Sequence, residues 1–233
     1  MIHNVAETVF GHAGWRDLRN NINLWIQFLT NFRRRLISRG KLKKASGNQL
    51  LINFGCGNLA KENWINIDMT DSQGVYFHDL RNLIPLNSQC AKHIHCEHFL
   101  EHLEYSYAKK LLRECYRLLE NGATLRLIVP DAEKYLKAYC FDDKEFFEQL
   151  KNLGGSPKPY DTKMEIINQM FRMDDDHKFA WDFETLKLAL SEAGFTQINR
   201  SEIGDIEAQY NIDGTDWWRP VESLYINATK SNT

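Results

Sequence analysis

The sequence predicts an α/β domain with parallel strands, preceded by a helical arm, and three observations carry that reading. From about residue 48 onward, short apolar runs alternate with helix-period segments, the pattern of strands linked by crossover helices. The first run, Leu50-Leu51-Ile52-Asn53-Phe54, ends in a glycine loop and reads as a buried strand. Before it, Trp15, Leu18, Ile22, Trp25, Leu29, Phe32 and Leu36 recur at intervals of three and four residues, an apolar seam along one amphipathic helix that should end near Gly40.

Residues 1–47 are therefore expected as the arm and 48–233 as the α/β domain. Arg33, Arg34, Arg35, Arg39, Lys41, Lys43 and Lys44 form a basic block with no acid between them. Together with the seam this leaves three partners for the arm: its own domain, a second copy in a homodimer, or an anionic membrane surface met peripherally. After the first strand, further strands are read at Trp64–Asp68, Val75–Phe77, Ala91–Cys96, Thr124–Val129, Phe195–Ser201 and Glu222–Thr229. Helices fit Tyr105–Leu119, where Leu111, Leu112, Cys115, Leu118 and Leu119 share a face, and Phe183–Ala193, which Gly194 terminates. The charged stretch of about 132–180 interrupts the alternation and reads as an insertion, a substrate lid over the cleft.

The chain has 233 residues, 43% apolar and 26% charged, with a net charge of −2. That balance excludes a disordered or collagenous chain and gives no global reason to expect a nucleic-acid partner. Five cysteines without a Cys-x-x-Cys pair fit the reduced thiols of a cytoplasmic protein better than a secreted disulfide framework. No run approaches the roughly 18 apolar residues of a membrane span.

The glycines of Asn53-Phe54-Gly55-Cys56-Gly57-Asn58 follow a strand, where open α/β folds place their ligands. Asp68 ends the next strand and can accept both hydroxyls of a ribose. Asp79 follows the third and can meet an adenine amine, although either acid could equally begin a surface turn. The loop lacks the Gly-Lys-Ser/Thr of a phosphate-binding loop, and only about ten residues separate its glycines from the end of the next strand. A dinucleotide needs a full helix there, so a phosphate-free adenosine ligand fits better.

Leu51-Ile52-Asn53-Phe54-Gly55-Cys56-Gly57, Asn63-Trp64-Ile65-Asn66-Ile67-Asp68 and Cys96-Glu97-His98-Phe99-Leu100-Glu101-His102-Leu103 resemble motifs of class I S-adenosylmethionine-dependent methyltransferases. The likeness is greatest to the type-11-like predicted methyltransferases that often accompany sugar and polysaccharide genes. Further matches are Leu112–Leu119 leading to Gly122, Val129-Pro130-Asp131, His177-Lys178-Phe179, Ala193-Gly194-Phe195, Arg219-Pro220 and Glu222–Tyr225, so the resemblance spans roughly 48–230. It implies a Rossmann-like, mostly parallel sheet with an antiparallel C-terminal strand. It further implies S-adenosyl-L-methionine as cofactor, held by Gly55, Cys56, Gly57, Asn58, Asp68, Met69, Asp79, Leu80, Glu97 and His98. Two positions depart from the common pattern: Asn53 stands where an acid is usual, and the helix after the loop is curtailed.

Methyl transfer from a sulfonium is an in-line displacement that asks the protein mainly to align donor and acceptor and requires no metal. For a hydroxyl or ammonium acceptor, His98, Asp131 and His177 are the candidate bases; Asp131 could instead cap a helix beginning at Ala132. A small polar or saccharide-like acceptor suits the acidic, aromatic insertion. Two other readings remain: a non-catalytic nucleoside-binding protein of the same fold, and a zinc hydrolase. The second rests on His98-Phe99-Leu100-Glu101-His102, which matches His-x-x-Glu-His and would put both histidines on one helix face.

Overall fold

The computed structural model describes residues 33–45, 47–151 and 160–232. Seven strands form one sheet: β1 (Leu50–Phe54), β2 (Ile65–Asp68), β3 (Val75–Phe77), β4 (Ala91–Glu97), β5 (Leu119–Pro130), β6 (Gln197–Ser201) and β7 (Ser223–Thr229). Their order is β3-β2-β1-β4-β5-β7-β6. The first five are mutually parallel, and β7 runs antiparallel to both β5 and β6, as the resemblance implied. Because β1 sits between β2 and β4, the chain leaves it in opposite directions along the sheet, which opens a crevice at the carboxyl ends of β1 and β4.

The helices are α1 (33–45), α2 (Tyr105–Leu118), α3 (Ala132–Cys140), α4 (Lys144–Leu150), α5 (Lys163–Arg172), α6 (Phe183–Ala193) and the short α7 (Arg219–Glu222). Ala108, Leu111, Leu112, Cys115 and Leu118 form the buried stripe of α2, the face expected from their spacing. The Asp182 side chain caps α6 by accepting the Thr185 N–H at 2.8 Å, and Gly194 closes it at φ +110°, the left-handed geometry that glycine tolerates. These helices and the central strands bury one core around Ile52, Phe54, Ile94, Leu112 and Leu127.

Several boundaries differ from expectation. β5 begins at Leu119, directly after α2, because Leu119 already pairs with Ala91 before the register shift that precedes His93. Glu222 ends α7 rather than opening β7, and β6 starts two residues later than predicted.

The helix of the arm continues through Gly40 to residue 45. Trp15, Leu18, Ile22, Trp25, Leu29 and Phe32 of its seam lie outside the described residues. Leu36, the last seam residue, is 56% exposed, whereas Ser38 and Leu42, one turn apart, are buried. Leu42 joins the main core and Arg34 pairs with Asp71 at 2.6 Å, so this end of the arm rests on the α/β domain. The seven basic residues of the block all face solvent.

The predicted insertion is a compact excursion with its own core of Tyr135, Phe147, Leu150, Ile166 and Met170, against which Trp218 and Val221 pack. Its two ends meet: Asp131 and Trp181 form a parallel bridge, and the Ala132 N–H donates to the Trp181 carbonyl at 2.8 Å. Residues 152–159, with the Gly154-Gly155 pair, lie outside the described residues.

Candidate functional site

The glycine loop leaves β1 at the crevice. Gly55 adopts φ +65°, and a Cβ there would lie 2.3 Å from the Phe99 ring; Gly57 adopts φ +52° with nothing within 4 Å of such a Cβ. The two glycines thus serve different needs, close packing at Gly55 and an open backbone at Gly57. The Gly57 N–H donates to Asp68 Oδ2 at 3.0 Å, and Asp68 Oδ1 accepts from the Thr70 N–H and hydroxyl at 2.8 and 2.7 Å. Inside the sheet, Asn53 donates from Nδ2 to Asn66 Oδ1 at 3.2 Å. The residue that replaces the usual acid therefore braces β1 against β2.

Three cavities border this edge. One of about 500 Å³ is lined by Gly55, Cys56, Gly57, Asn58, Glu97 and His98 together with Asp213, Gly214 and Arg219. A second, about 260 Å³, is lined by Asp68, Met69, Asp79 and Leu80 together with Phe99, His102 and Tyr107. The third, about 440 Å³, lies under the insertion between His98, Glu101, His102, Met170, His177 and Trp218. His98 borders the first and third, and His102 the second and third, so the three adjoin. All ten residues predicted to hold a cofactor line the first two cavities, whereas His98 and His177 reach the third.

Individual side chains differ in how much chemistry they keep free. Burial, with Asp68 nearby, pushes the Cys56 thiol up to about 12, which leaves it an inert wall. Asn58 accepts from Ser72 Oγ at 2.7 Å. Asp79 is held below the usual carboxylate range by Arg81, whose Nε and one terminal nitrogen each donate at 2.8 Å; Oδ1 also accepts the Arg81 N–H at 3.1 Å, so the lone pair left for an amine is on Oδ2. Asp131 caps α3, accepting the Glu133 N–H at 3.1 Å, and burial raises its pKa. The structure thus gives Asp131 the capping position and lines the third cavity with His98 and His177 instead.

Glu97 is clamped at the end of β4 by His95 at 3.2 Å, by the Gly214 N–H at 3.0 Å and by Arg219. Burial would raise its pKa, but these partners outweigh that and hold it low. Behind it, the fully buried Arg126 directs its N–H groups to Asp213, Ser201, Asn227 and the Glu202 carbonyl. Satisfied on all sides, this guanidinium pins the 202–214 loop so that Gly214 reaches Glu97. Sequence reasoning missed Arg126 and Asp213, for which an arginine amid the apolar β5 run was the available signal; His95, which the density of histidines over 93–102 drew attention to as a possible metal ligand, instead braces Glu97.

The His98–His102 segment is not an α-helix. His98 sits at φ +47° and Leu100–His102 form a single 3₁₀ turn, so the shared helix face expected for a His-x-x-Glu-His zinc site does not exist. A non-glycine residue held in the left-handed region stores strain, and here it aims the imidazole across the crevice. His98 Nε2 lies 2.9 Å from Ser223 Oγ, its Nδ1 lies 3.4 Å from Glu101 Oε1, and Trp218 packs edge-on at 5.3 Å.

The sheet order and its single antiparallel strand are those of the Rossmann-like methyltransferase fold. A SAM-dependent methyltransferase from Archaeoglobus fulgidus superposes with a TM-score of 0.50 at 18% identity, covering 88% of this chain and 99% of that one. An S-adenosylmethionine-dependent methyltransferase from Mesorhizobium loti aligns at TM-score 0.46 and 15% identity, over 83% of this chain and 98% of that one. No protein-family model matches the chain, and no curated protein matches it. Among the described residues, no helix is long and apolar enough to cross a membrane.

Proposed function

We propose that this chain is an S-adenosylmethionine-dependent methyltransferase that transfers its methyl group in line to a small polar or saccharide-like acceptor. The observation that supports this most is the Gly57–Asp68 contact at the sheet crevice, flanked by two cavities that together suit an adenosine and an amino-acid tail. In this reading Asp68 accepts the ribose hydroxyls, Asp79 and Leu80 border the adenine, and the open backbone at Gly57 lets the donor approach. Glu97, fixed by Arg219 and Gly214, faces the amino-acid end.

The acceptor enters the third cavity, roofed by Met170 and Met173 of the insertion. The chain's contribution is alignment and exclusion of water. His98, on the boundary between donor and acceptor cavities, takes the acceptor proton while Ser223, 2.9 Å from its Nε2, orients its ring.

Calorimetric titration with S-adenosylmethionine and its demethylated product tests the donor site; absence of binding overturns the reading. Methyl release on a panel of sugars and small polyols then separates an enzyme from a nucleoside-binding protein of the same fold, which would bind the donor and transfer nothing.

A further inference from the structure

We propose that Glu101, His102 and His177 form a divalent-metal site in the acceptor cavity, one that binds an imidazole-accepting cation such as Mn²⁺, Co²⁺ or Zn²⁺ and presents it to the acceptor hydroxyl. The inference rests on the methyltransferase reading and departs from the sequence expectation that the transfer needs no metal. One ligand atom from each of the three residues lies within 4.8 Å of the others. A cation with bonds of roughly 2.0–2.2 Å holds its ligands about 3–3.5 Å apart, so closing on it asks only a modest rotation of side chains.

Two further observations point to a ligand. Glu101 is 2% exposed, yet neither of its carboxylate oxygens has a hydrogen-bond partner among the described residues. The His98 ring lies 3.4 Å from Oε1. A buried carboxylate left in this way is costly, and a cation between it and the two imidazoles removes the cost.

Both imidazoles are also oriented from behind. His102 Nδ1 lies 3.1 Å from Asp176 Oδ2, and His177 Nδ1 lies 2.5 Å from the Met170 carbonyl. The Met170 carbonyl accepts the Nδ1 proton of His177 and leaves its Nε2 as the lone-pair nitrogen, as partners behind metal-bound histidines do, and the Asp176 carboxylate faces the Nδ1 side of His102.

The backbone holds the group together as well. The Glu101 carbonyl accepts from the Lys178 and Phe179 N–H groups at 2.8 and 3.2 Å, stitching the 3₁₀ turn to the segment that carries His177. Two imidazoles and one carboxylate favour first-row transition ions over Mg²⁺, which prefers oxygen ligands, and leave coordination positions open.

An acceptor hydroxyl in such a position, one member of a vicinal diol for instance, becomes more acidic. Its proton passes to His98 and its oxygen lone pair forms the O–CH₃ bond. The C–S bond breaks, its electron pair returning to sulfur to give the neutral thioether.

The test uses the full chain, stripped with a chelator and titrated with MnCl₂ by calorimetry and with CoCl₂ by visible absorbance. In parallel it is titrated with S-adenosylmethionine. One equivalent of metal per chain is expected, weakened at least about tenfold in His177→Ala and His102→Ala, with Asp176→Asn weakening it less. Donor affinity should be unchanged in His177→Ala. Absence of metal binding while the donor binds, or metal binding indifferent to both histidine variants, overturns the site and leaves the methyltransferase reading standing. Absence of donor binding with one equivalent of metal bound overturns that reading instead. Glu101→Gln is a third variant; if it does not fold, the two histidine variants still decide.

Discussion

The Gly57 amide donates to the Asp68 carboxylate across 3.0 Å, tying the loop after β1 to the end of β2. In the methyltransferase reading proposed above the same carboxylate also meets the ribose, so one side chain would both close the loop and serve the donor. Asp68→Ala should weaken S-adenosylmethionine by roughly 1.5–3 kcal/mol, about ten- to a hundredfold. Calorimetry measures the loss, and circular dichroism should show the fold intact.

The glycines of the loop should separate in their effects. Gly55→Ala forces a methyl into the Phe99 ring at 2.3 Å on top of a left-handed backbone, and should cost about 2–5 kcal/mol. Gly57→Ala meets only the backbone strain, about 1–2 kcal/mol, and should fold while losing the donor, because its methyl occupies the open approach. Thermal melts with and without S-adenosylmethionine read both.

His98→Ala should lower kcat by about 10²–10⁴ while changing donor affinity far less. Steady-state kinetics on an accepted substrate, beside a donor titration, checks it. A loss confined to KM for the donor would instead place His98 in donor binding.

Asp213 contributes to acid stability with a definite sign. Burial would raise its pKa, but Arg126 and the Gly204 N–H outweigh it and hold the folded value below 3.8. Its stabilisation is therefore complete at pH well above 3.8 and disappears as pH falls through the depressed folded value. Asp213→Asn should flatten the acid limb of stability against pH. Asp213→Ala, which leaves Arg126 buried without its counter-ion, should cost about 3–5 kcal/mol at neutral pH, read by urea unfolding.

Gly40 lies inside α1, where an added Cβ meets nothing within 4 Å. Gly40→Ala should raise stability by up to about 1 kcal/mol, seen as a higher Tm.

The sheet was legible because strands buried on both faces write short, mostly apolar runs such as Leu50–Phe54, and because the glycines after β1 announce the loop. Asp68 was legible for the same local reason, since it ends its strand. Arg126 and Asp213 were not, because they stand 87 residues apart and no periodicity connects them. His177 meets Glu101 only through the fold of the insertion. The 3₁₀ turn at Leu100–His102 escaped because Glu and His at helical spacing look the same whether or not the backbone completes an α-turn.

The insertion leaves and re-enters the sheet at one hydrogen-bonded point, Asp131 against Trp181. A chain segment with coincident ends can change length at little entropic expense, roughly 0.6 kcal/mol for each doubling. It carries its own apolar centre, so it can be exchanged as a cassette while the strands and glycine turn beneath it keep their register. If the insertion roofs the acceptor as proposed above, retargeting to a new acceptor becomes a matter of grafting one excursion at a fixed seam rather than rebuilding the sheet.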